Sequence, residues 1–301
     1  LNVPIGLLQA AWGGTEIEAW IPREGLAGEP SLAAHLDPAA AAACDAAKKA
    51  AGSNEPGHRP GFLYNGMVAP LVPYALRGAI WYQGESNARR SIQYRKAFPL
   101  MISEWRRVWD RGDFPFYFVQ IAPFSGYASW KPAASSAELR EAQLLTYRRT
   151  RETGMVVVSD ITDDVRDIHP LNKQDVGARL ARWALAGDYG RRVVPSGPLY
   201  RDAKVEGNRM RVRFDFGEGL TARGGPLREF EIAGADRVFV PAQAEVDGRT
   251  VVVWADSVTQ PHAVRLGWSE APQPNLFNAA GLPASPFRTD DGPGVTDGAV
   301  W

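Results

Sequence analysis

Four short apolar runs in the first part of the chain have Gly, Pro or polar residues at or near their ends. They are predicted to be buried strands and cover residues 4–10, 77–83, 116–122 and 154–160. Amphipathic or Ala-rich segments lie between or after them and are predicted to be helices, at residues 31–52, 94–109, 137–152 and 172–186. In the second of these helices, six residues are predicted to share one apolar face: Tyr94, Phe98, Met101, Ile102, Trp105 and Trp109. This alternation predicts an α/β fold, with a mostly parallel sheet and helices on both of its faces.

The pattern changes near residue 195. Beyond that point, apolar residues alternate or cluster in short runs between Gly, Asp and Asn turns, as at 204–206, 211–216 and 251–254. Such runs are typical of β-strands. We therefore expect an α/β domain over residues 1–194 and a β-rich C-terminal domain over residues 195–301.

Three loops at predicted strand ends are candidates for chemistry: Gly13-Gly14-Thr15, Gln83 to Asn87, and Asp167-Ile168-His169. Loops at the carboxyl ends of parallel strands converge on one crevice. In the third loop, His169 is predicted to be a general base that Asp167 orients. In the first two, glycine frees backbone N–H groups, and the side-chain amides of Gln83 and Asn87 are candidate donors to an oxyanion. Each loop alone also fits a turn, a helix cap or a structural histidine, but their joint position favours a site.

Composition narrows the classes of function. The 34 Lys and Arg residues equal the 34 Asp and Glu residues, so no overall field favours nucleic acid or an anionic membrane as a partner. No apolar run approaches the roughly 20 residues that span a bilayer. The chain starts with Leu1 and shows no signal-peptide pattern, which leaves its localisation open.

Neither a metal ion nor a cofactor is predicted. The four histidines are far apart in the sequence, and no HExxH or His-x-His spacing occurs. Gly13-Gly14-Thr15 lacks the lysine of a phosphate-binding P-loop. Cys44 is the single cysteine and falls in an Ala-rich stretch, so it is expected to be a packing or surface residue.

A general base implies a nucleophile. Ser86 is the serine with suggestive surroundings, because it follows a predicted strand and Gly84 and precedes a helix. A nucleophile elbow needs a second glycine two residues after the serine, where this chain has Ala88. Ser86 is therefore an alternative nucleophile rather than the preferred one.

Several motifs together resemble the sialate O-acetylesterases of the SGNH/GDSL hydrolase superfamily. They extend over nearly the whole chain: Pro4-Ile5-Gly6-Leu7-Leu8, Trp12-Gly13-Gly14-Thr15, Tyr64-Asn65-Gly66-Met67, Trp81 to Asn87, Leu139 to Gln143, Asp167-Ile168-His169-Pro170, and Gly281 to Arg288. The resemblance implies a flavodoxin-like three-layer core and a serine esterase that removes O-acetyl groups from sialic acids or related sugars. It also suggests an extracellular or periplasmic location.

The resemblance implies a role for each matching residue. His169 would be the base, with Asp167 as its acid partner. The oxyanion- and substrate-binding residues would be Gly14, Gln83, Gly84, Glu85 and Asn87. In the superfamily the acid usually stands three residues before the histidine, where this chain has Arg166, and Asp164 is the possible substitute.

The second departure from the family concerns the nucleophile. The family carries its serine in a Gly-Gln-Ser-Asn-Met motif ahead of the Pro-Ile-Gly-Leu segment, and this motif does not occur in the chain. We therefore expect the serine to lie upstream of Leu1, on a segment or separate fragment that completes the fold. The 301 residues alone are then expected to be a poor esterase.

The expected partner is an O-acetylated sugar, besides that N-terminal fragment; no nucleic acid or membrane is expected. Trp12, Trp20 and Trp81 are candidates to face a sugar ring, and a place in the core is the alternative for each. A non-catalytic glycan-binding or structural subunit of the same fold is the competing function.

Overall fold

The computed structural model describes residues 2–39, 42–43, 46, 59–129 and 132–299 of the chain. Cys44 and most of the predicted Ala-rich helix beyond residue 39 lie outside these residues. The α-helices are α1 (Arg23–Gly28), α2 (Pro30–Ala33), α3 (Ser91–Trp109), α4 (Ser135–Arg149) and α5 (Lys173–Gly187). The shorter helical turns are Ile17–Trp20, Ala34–Leu36, Tyr64–Val68, Ala69–Leu71, Glu85–Arg90 and Ser125–Ser129.

A parallel sheet of three strands forms the centre of the first region. Its strands are β1 (Ala79–Trp81), β2 (Phe116–Val119) and β3 (Thr153–Val156), in the order β1-β2-β3. The predicted strands at 77–83, 116–122 and 154–160 are therefore confirmed, with narrower bounds. The α/β class is confirmed as well.

Helices cover both faces of this sheet. In β2, Phe116 and Phe118 pack in one apolar cluster with α3 and α4, whereas Tyr117 and Val119 pack in a second cluster with α5. This alternation follows from the two-residue period of a strand. The result is the expected three-layer arrangement, in which the helical faces identified from apolar spacing are the buried ones.

In helix α3, the spacing of apolar residues in the sequence predicts the buried face. All six residues that define its predicted apolar face are buried: Tyr94, Phe98, Met101, Ile102, Trp105 and Trp109. Two of these side chains, Phe98 and Trp105, contact β1 and β2 through edge-on aromatic pairs, such as Trp81 with Trp105 at 5.8 Å between ring centroids. Burial of this face, more than helix propensity, holds α3 on the sheet.

The second region consists of antiparallel strands from residue 199 onwards. They are β4 (Leu199–Glu206), β5 (Arg209–Asp215), β6 (Thr221–Ala222), β7 (Phe230–Ala233), β8 (Val240–Pro241), β9 (Gln243–Asp247), β10 (Thr250–Trp254), β11 (Ala263–Leu266), β12 (Leu276–Phe277) and β13 (Phe287–Arg288). Two four-stranded sheets, β4-β5-β10-β9 and β13-β11-β7-β8, pack on one shared apolar core, and β12 pairs with β6. The expected β-rich character is confirmed.

One predicted strand is wrong. Residues 4–10 form no helix or strand in the structure, and Ile5, Leu7 and Leu8 are exposed rather than buried. An apolar run becomes a strand only when a neighbouring strand satisfies its N–H and C=O groups. Among the described residues, β1 pairs with β2 alone, and no strand pairs with residues 4–10.

Candidate functional site

The carboxyl ends of β1 and β3 lead into two of the three loops that the sequence singled out. β1 is followed by Gln83 to Asn87, and β3 is followed by the loop with Asp167 and His169, which ends where α5 begins. Because all three strands are parallel, these loops lie at the same edge of the sheet. This edge is the candidate active site.

The side chain of Gln83 joins two of the predicted loops. Its Nε2 donates hydrogen bonds to the backbone oxygen of Thr15 at 2.9 Å and to Oδ1 of Asn87 at 2.8 Å. Its Oε1 accepts a hydrogen bond from the Tyr94 hydroxyl at 3.0 Å. Both amide hydrogens of Gln83 are thus engaged within the protein. Gln83 fixes the loop that contains Gly14 against the loop that contains Gly84.

Asn87 is equally engaged. Its Oδ1 accepts from the backbone N–H of Ile17 at 2.9 Å, and its Nδ2 donates to Glu18 at 2.9 Å. The buried Glu18 carboxylate also accepts from Arg90 at 2.8 Å. Apolar spacing could not reveal Glu18 or Arg90, because a buried ion pair leaves no periodic signal in a sequence. The predicted oxyanion role of Asn87 and Gln83 stays a prediction, whereas their part in holding the loops is observed.

Gly84 has a backbone that other residues rarely adopt. Its φ is 154°, and a Cβ placed there would lie 2.6 Å from Cδ2 of Leu139 and 2.8 Å from Cγ2 of Ile121. Gln143 holds the backbone next to Gly84, because its Nε2 donates a hydrogen bond to the backbone oxygen of Gln83 at 3.2 Å. Glycine is therefore required where β1 turns into the site.

Glu85 and Ser86 are half-buried beside this turn. Burial raises the pKa of the Tyr82 hydroxyl, and the Glu85 carboxylate adds to this effect. Lys173 lies over the Tyr82 ring, 5.5 Å from its centroid, and donates to the backbone oxygen of Pro170. Tyr82 and Lys173 therefore connect the Gln83 loop with the loop that carries His169.

The imidazole of His169 faces solvent, with 87% of its side chain exposed. Oδ1 of Asp167 accepts a hydrogen bond from the backbone N–H of His169 at 2.8 Å and lies 3.8 Å from the ring Nδ1. The second distance is too long for a hydrogen bond. In this structure Asp167 therefore shapes the loop and does not bond to the imidazole.

Asp164, the substitute acid, is paired elsewhere. Its carboxylate accepts from the Arg166 side chain at 2.8 Å, and this hydrogen bonding lowers the pKa of Asp164. Neither aspartate is hydrogen-bonded to the His169 ring. Which of them would orient His169 stays a prediction, as does the role of His169 as a base.

The three tryptophans that are candidates to face a sugar differ in their burial. Trp20 and Trp81 are buried and meet edge-on at 5.5 Å, so the core alternative describes them. Trp12 is 44% exposed beside Gly13, at the candidate site. Among the described residues, Ser86 makes no hydrogen bond to His169, and no group of three or more His, Cys, Asp or Glu side chains could hold a metal ion.

Comparison with known proteins identifies the family. A family model described as carbohydrate esterase, sialic acid-specific acetylesterase, matches residues 1–186, more than half of the chain. The chain belongs to this carbohydrate esterase family. The matched residues include every loop at the candidate site.

Relatives of this family member agree with the assignment. The sialate O-acetylesterase of Homo sapiens is 29% identical over 98% of the chain and 59% of its own length, and that of Mus musculus is 28% identical over 95% and 60%. A carbohydrate acetylesterase structure from Xanthomonas citri superposes with a TM-score of 0.83 at 39% identity, covering 97% of this chain and 62% of that one. The chain thus spans about three fifths of the length of these relatives.

No helix in the described part of this family member is long and apolar enough to cross a membrane.

The sequence indicated the loops of the site, and it indicated Gln83 and Asn87 in another role. It did not indicate Glu18, Arg90, Arg140 or Gln143 as side chains that support these loops. Arg140 and Gln143 stand in the Leu139 to Gln143 motif that carried part of the family resemblance, so the motif was the available signal. Glu18 and Arg90 had none.

Proposed function

We propose that this protein is a carbohydrate esterase that removes O-acetyl groups from sialic acid or a related sugar, with His169 as the general base. The observation that carries the proposal is that the Gly14 loop, the Gln83 loop and the loop with His169 lie at one edge of the parallel sheet, joined through Gln83 and Lys173. Membership of the family supports the ester chemistry.

The proposed reaction is acyl transfer through a serine that lies outside the 301 residues. His169 takes the proton of the serine hydroxyl as the serine oxygen attacks the acetyl carbonyl. It then gives that proton to the departing sugar oxygen, which leaves as a hydroxyl group. Water next attacks the acetyl-serine by the same route, which releases acetate. The backbone N–H of the exposed Gly14 is the proposed donor to the oxyanion, while Gln83, Gly84 and Asn87 hold the second loop in place.

Exposed apolar side chains near the start of the chain and on β1 support a serine-bearing segment as the proposed partner. Val3, Ile5, Leu7 and Leu8 are 56–86% exposed, and Ile80 on β1 is 66% exposed. An unpaired sheet edge with apolar side chains is a surface that another strand would cover. We propose that the serine-bearing segment pairs along β1 and brings the serine to the carboxyl end of the sheet.

A non-catalytic glycan-binding subunit is the second candidate. One observation favours it, namely that neither Asp167 nor Asp164 is hydrogen-bonded to the His169 imidazole. In this reading the loops bind an acetylated sugar without cleaving it. The two candidates differ in whether His169 affects turnover.

The deciding experiment is His169→Ala in a protein that includes the serine-bearing segment. Turnover of an O-acetylated sialic acid should fall by about 10⁴-fold or more, because the base is lost. Stability should stay within about 0.5 kcal/mol, since the side chain is exposed. Steady-state kinetics and thermal unfolding measure the two effects.

Three further variants complete this experiment. His262→Ala removes another exposed histidine and should leave turnover unchanged. Asp167→Asn and Asp164→Asn are compared directly, and only the true acid partner should lower kcat by orders of magnitude. Normal turnover in His169→Ala would contradict the proposed mechanism.

A further inference from the structure

Arg140 is a fully buried cation whose five N–H groups are all used. Its Nε and Nη2 donate to the backbone oxygens of Ile121 and Ala122, both at 3.0 Å. Its Nη1 and Nη2 also donate to the backbone oxygens of Ser269 and Glu270, both at 2.9 Å. The remaining N–H of Nη1 points to the Ser136 hydroxyl at 3.5 Å.

These four carbonyls belong to different parts of the molecule. Ile121 and Ala122 follow β2 at the edge of the sheet where the candidate site lies, whereas Ser269 and Glu270 belong to the β-rich region, between β11 and β12. The planar guanidinium donates in fixed directions, so it sets the position of one pair of carbonyls relative to the other. A lysine could not reach both pairs from one point.

The same contact continues to the His169 loop. The backbone N–H of Phe124 donates to the Glu270 oxygen at 3.2 Å. The next residue, Ser125, donates to the Val165 oxygen through its N–H at 2.7 Å and its hydroxyl at 3.1 Å. Val165 stands four residues before His169. A chain of hydrogen bonds therefore runs from the β-rich region, past Arg140, to the loop with the proposed base.

Charge neutralisation does not explain this arrangement. The Glu270 carboxylate accepts from the Ser136 hydroxyl, and the Arg140 guanidinium donates to backbone carbonyls instead of to a carboxylate. Burial lowers the pKa of Arg140 to about 10, which leaves it charged at neutral pH. Burying a charged side chain costs free energy unless hydrogen bonds replace those it made with water. The carbonyl oxygens that Arg140 binds therefore explain its burial.

We infer that the Ser269–Glu270 segment of the β-rich region holds the His169 loop in place, with Arg140 as the positioning residue between them. The inference rests on the proposed role of His169 and assigns the β-rich region a part in the same site. It is tested by hydrogen exchange, which needs no ester turnover. Failure of the esterase proposal would therefore not be mistaken for failure of this one.

The experiment compares Arg140→Lys with Arg106→Lys in the 301-residue chain. Arg106 is a matched control, because it is also buried and donates to the backbone oxygens of Phe114, Arg151 and Glu152 at 2.8–3.1 Å. These carbonyls lie at the opposite ends of β2 and β3. The amides of Ile121, Phe124, Ser125 and Asp167, which are hydrogen-bonded in the wild-type chain, should exchange about tenfold faster in Arg140→Lys and at the wild-type rate in Arg106→Lys. Equal exchange of these amides in both variants would overturn the inference.

A measurement on the wild-type chain covers the case in which Arg140→Lys does not fold. Native-state exchange at increasing urea reports which amides open together. The amides of Phe124, Ser125 and Asp167 should open with those of Gly267 and Gln273, which flank the Ser269–Glu270 segment and donate to Glu229, with one free energy and one urea dependence. Separate opening of the two groups would show that the β-rich region does not hold the loop.

Discussion

At the scale of single residues, Gly84 is the most constrained position of the candidate site. Gly84→Ala should destabilise the protein by roughly 2–5 kcal/mol, because the new Cβ meets Leu139 and Ile121 and the backbone is strained. Gly112→Ala is the control, since its φ of 65° is also positive but its Cβ position is open. That change should cost about 1–2 kcal/mol. Urea unfolding measures both, and equal losses would contradict the steric argument.

His35 gives the molecule a dependence on pH. Burial lowers the pKa of its imidazole from 6.5, although Glu18 at 3.7 Å acts in the opposite direction and Arg90 reinforces the decrease. The unfolded chain therefore binds more protons than the folded one below about pH 6.5. Stability contributed by neutral His35 is present above this pH and is lost as the pH falls towards the folded pKa.

The prediction is checked by urea unfolding at pH 7.5 and pH 5.5. The wild-type chain should lose stability between these values, and His35→Gln should lose less. His262→Gln retains His35 and should keep the wild-type difference. A loss of the same size in His35→Gln would mean that other groups cause the pH dependence.

At the scale of helices and strands, sequence patterns predicted the features that depend on the local spacing of apolar residues. The buried faces of α3 and α5 follow from a period of 3.6 residues, and the position of β2 follows from a continuous apolar run; the chain carries both patterns itself. Residues 4–10 carry the apolar pattern of a strand, but their pairing partner is not encoded in that pattern. Predicted strands of this kind fail where a neighbour is needed and the described residues do not supply one.

The loops of the site also have some features that local sequence predicts and others that depend on distant residues. Their place at strand ends could be predicted, because parallel strands end at one edge. The contacts of Gln83 with Thr15 and Asn87 could not, because they join residues that are 68 and 4 positions apart through buried amides. Side chains chosen as oxyanion donors proved to be engaged in holding two loops together.

At the scale of the whole molecule, the predicted boundary near residue 195 is crossed by many buried polar contacts. Gln120 donates to the Ser285 hydroxyl at 3.0 Å, and Glu141 pairs with Arg288 at 2.9 Å. Glu138 accepts from the Thr296 hydroxyl at 2.6 Å. Each contact joins the β2 or α4 region to the β-rich region, and each would leave a buried polar group unsatisfied if the two regions separated.

These contacts predict that the chain unfolds as one unit. Separation of the regions would also leave Arg140 charged, buried and without half of its carbonyl partners, which makes a half-folded state unfavourable. Scanning calorimetry of the 301-residue chain should show a single transition whose calorimetric and van't Hoff enthalpies agree. Arg288→Ala, which breaks the pair with Glu141, should lower the temperature of that transition without splitting it. Two resolved transitions in the wild-type chain would show that the β-rich region is an independent domain and does not unfold together with the α/β region.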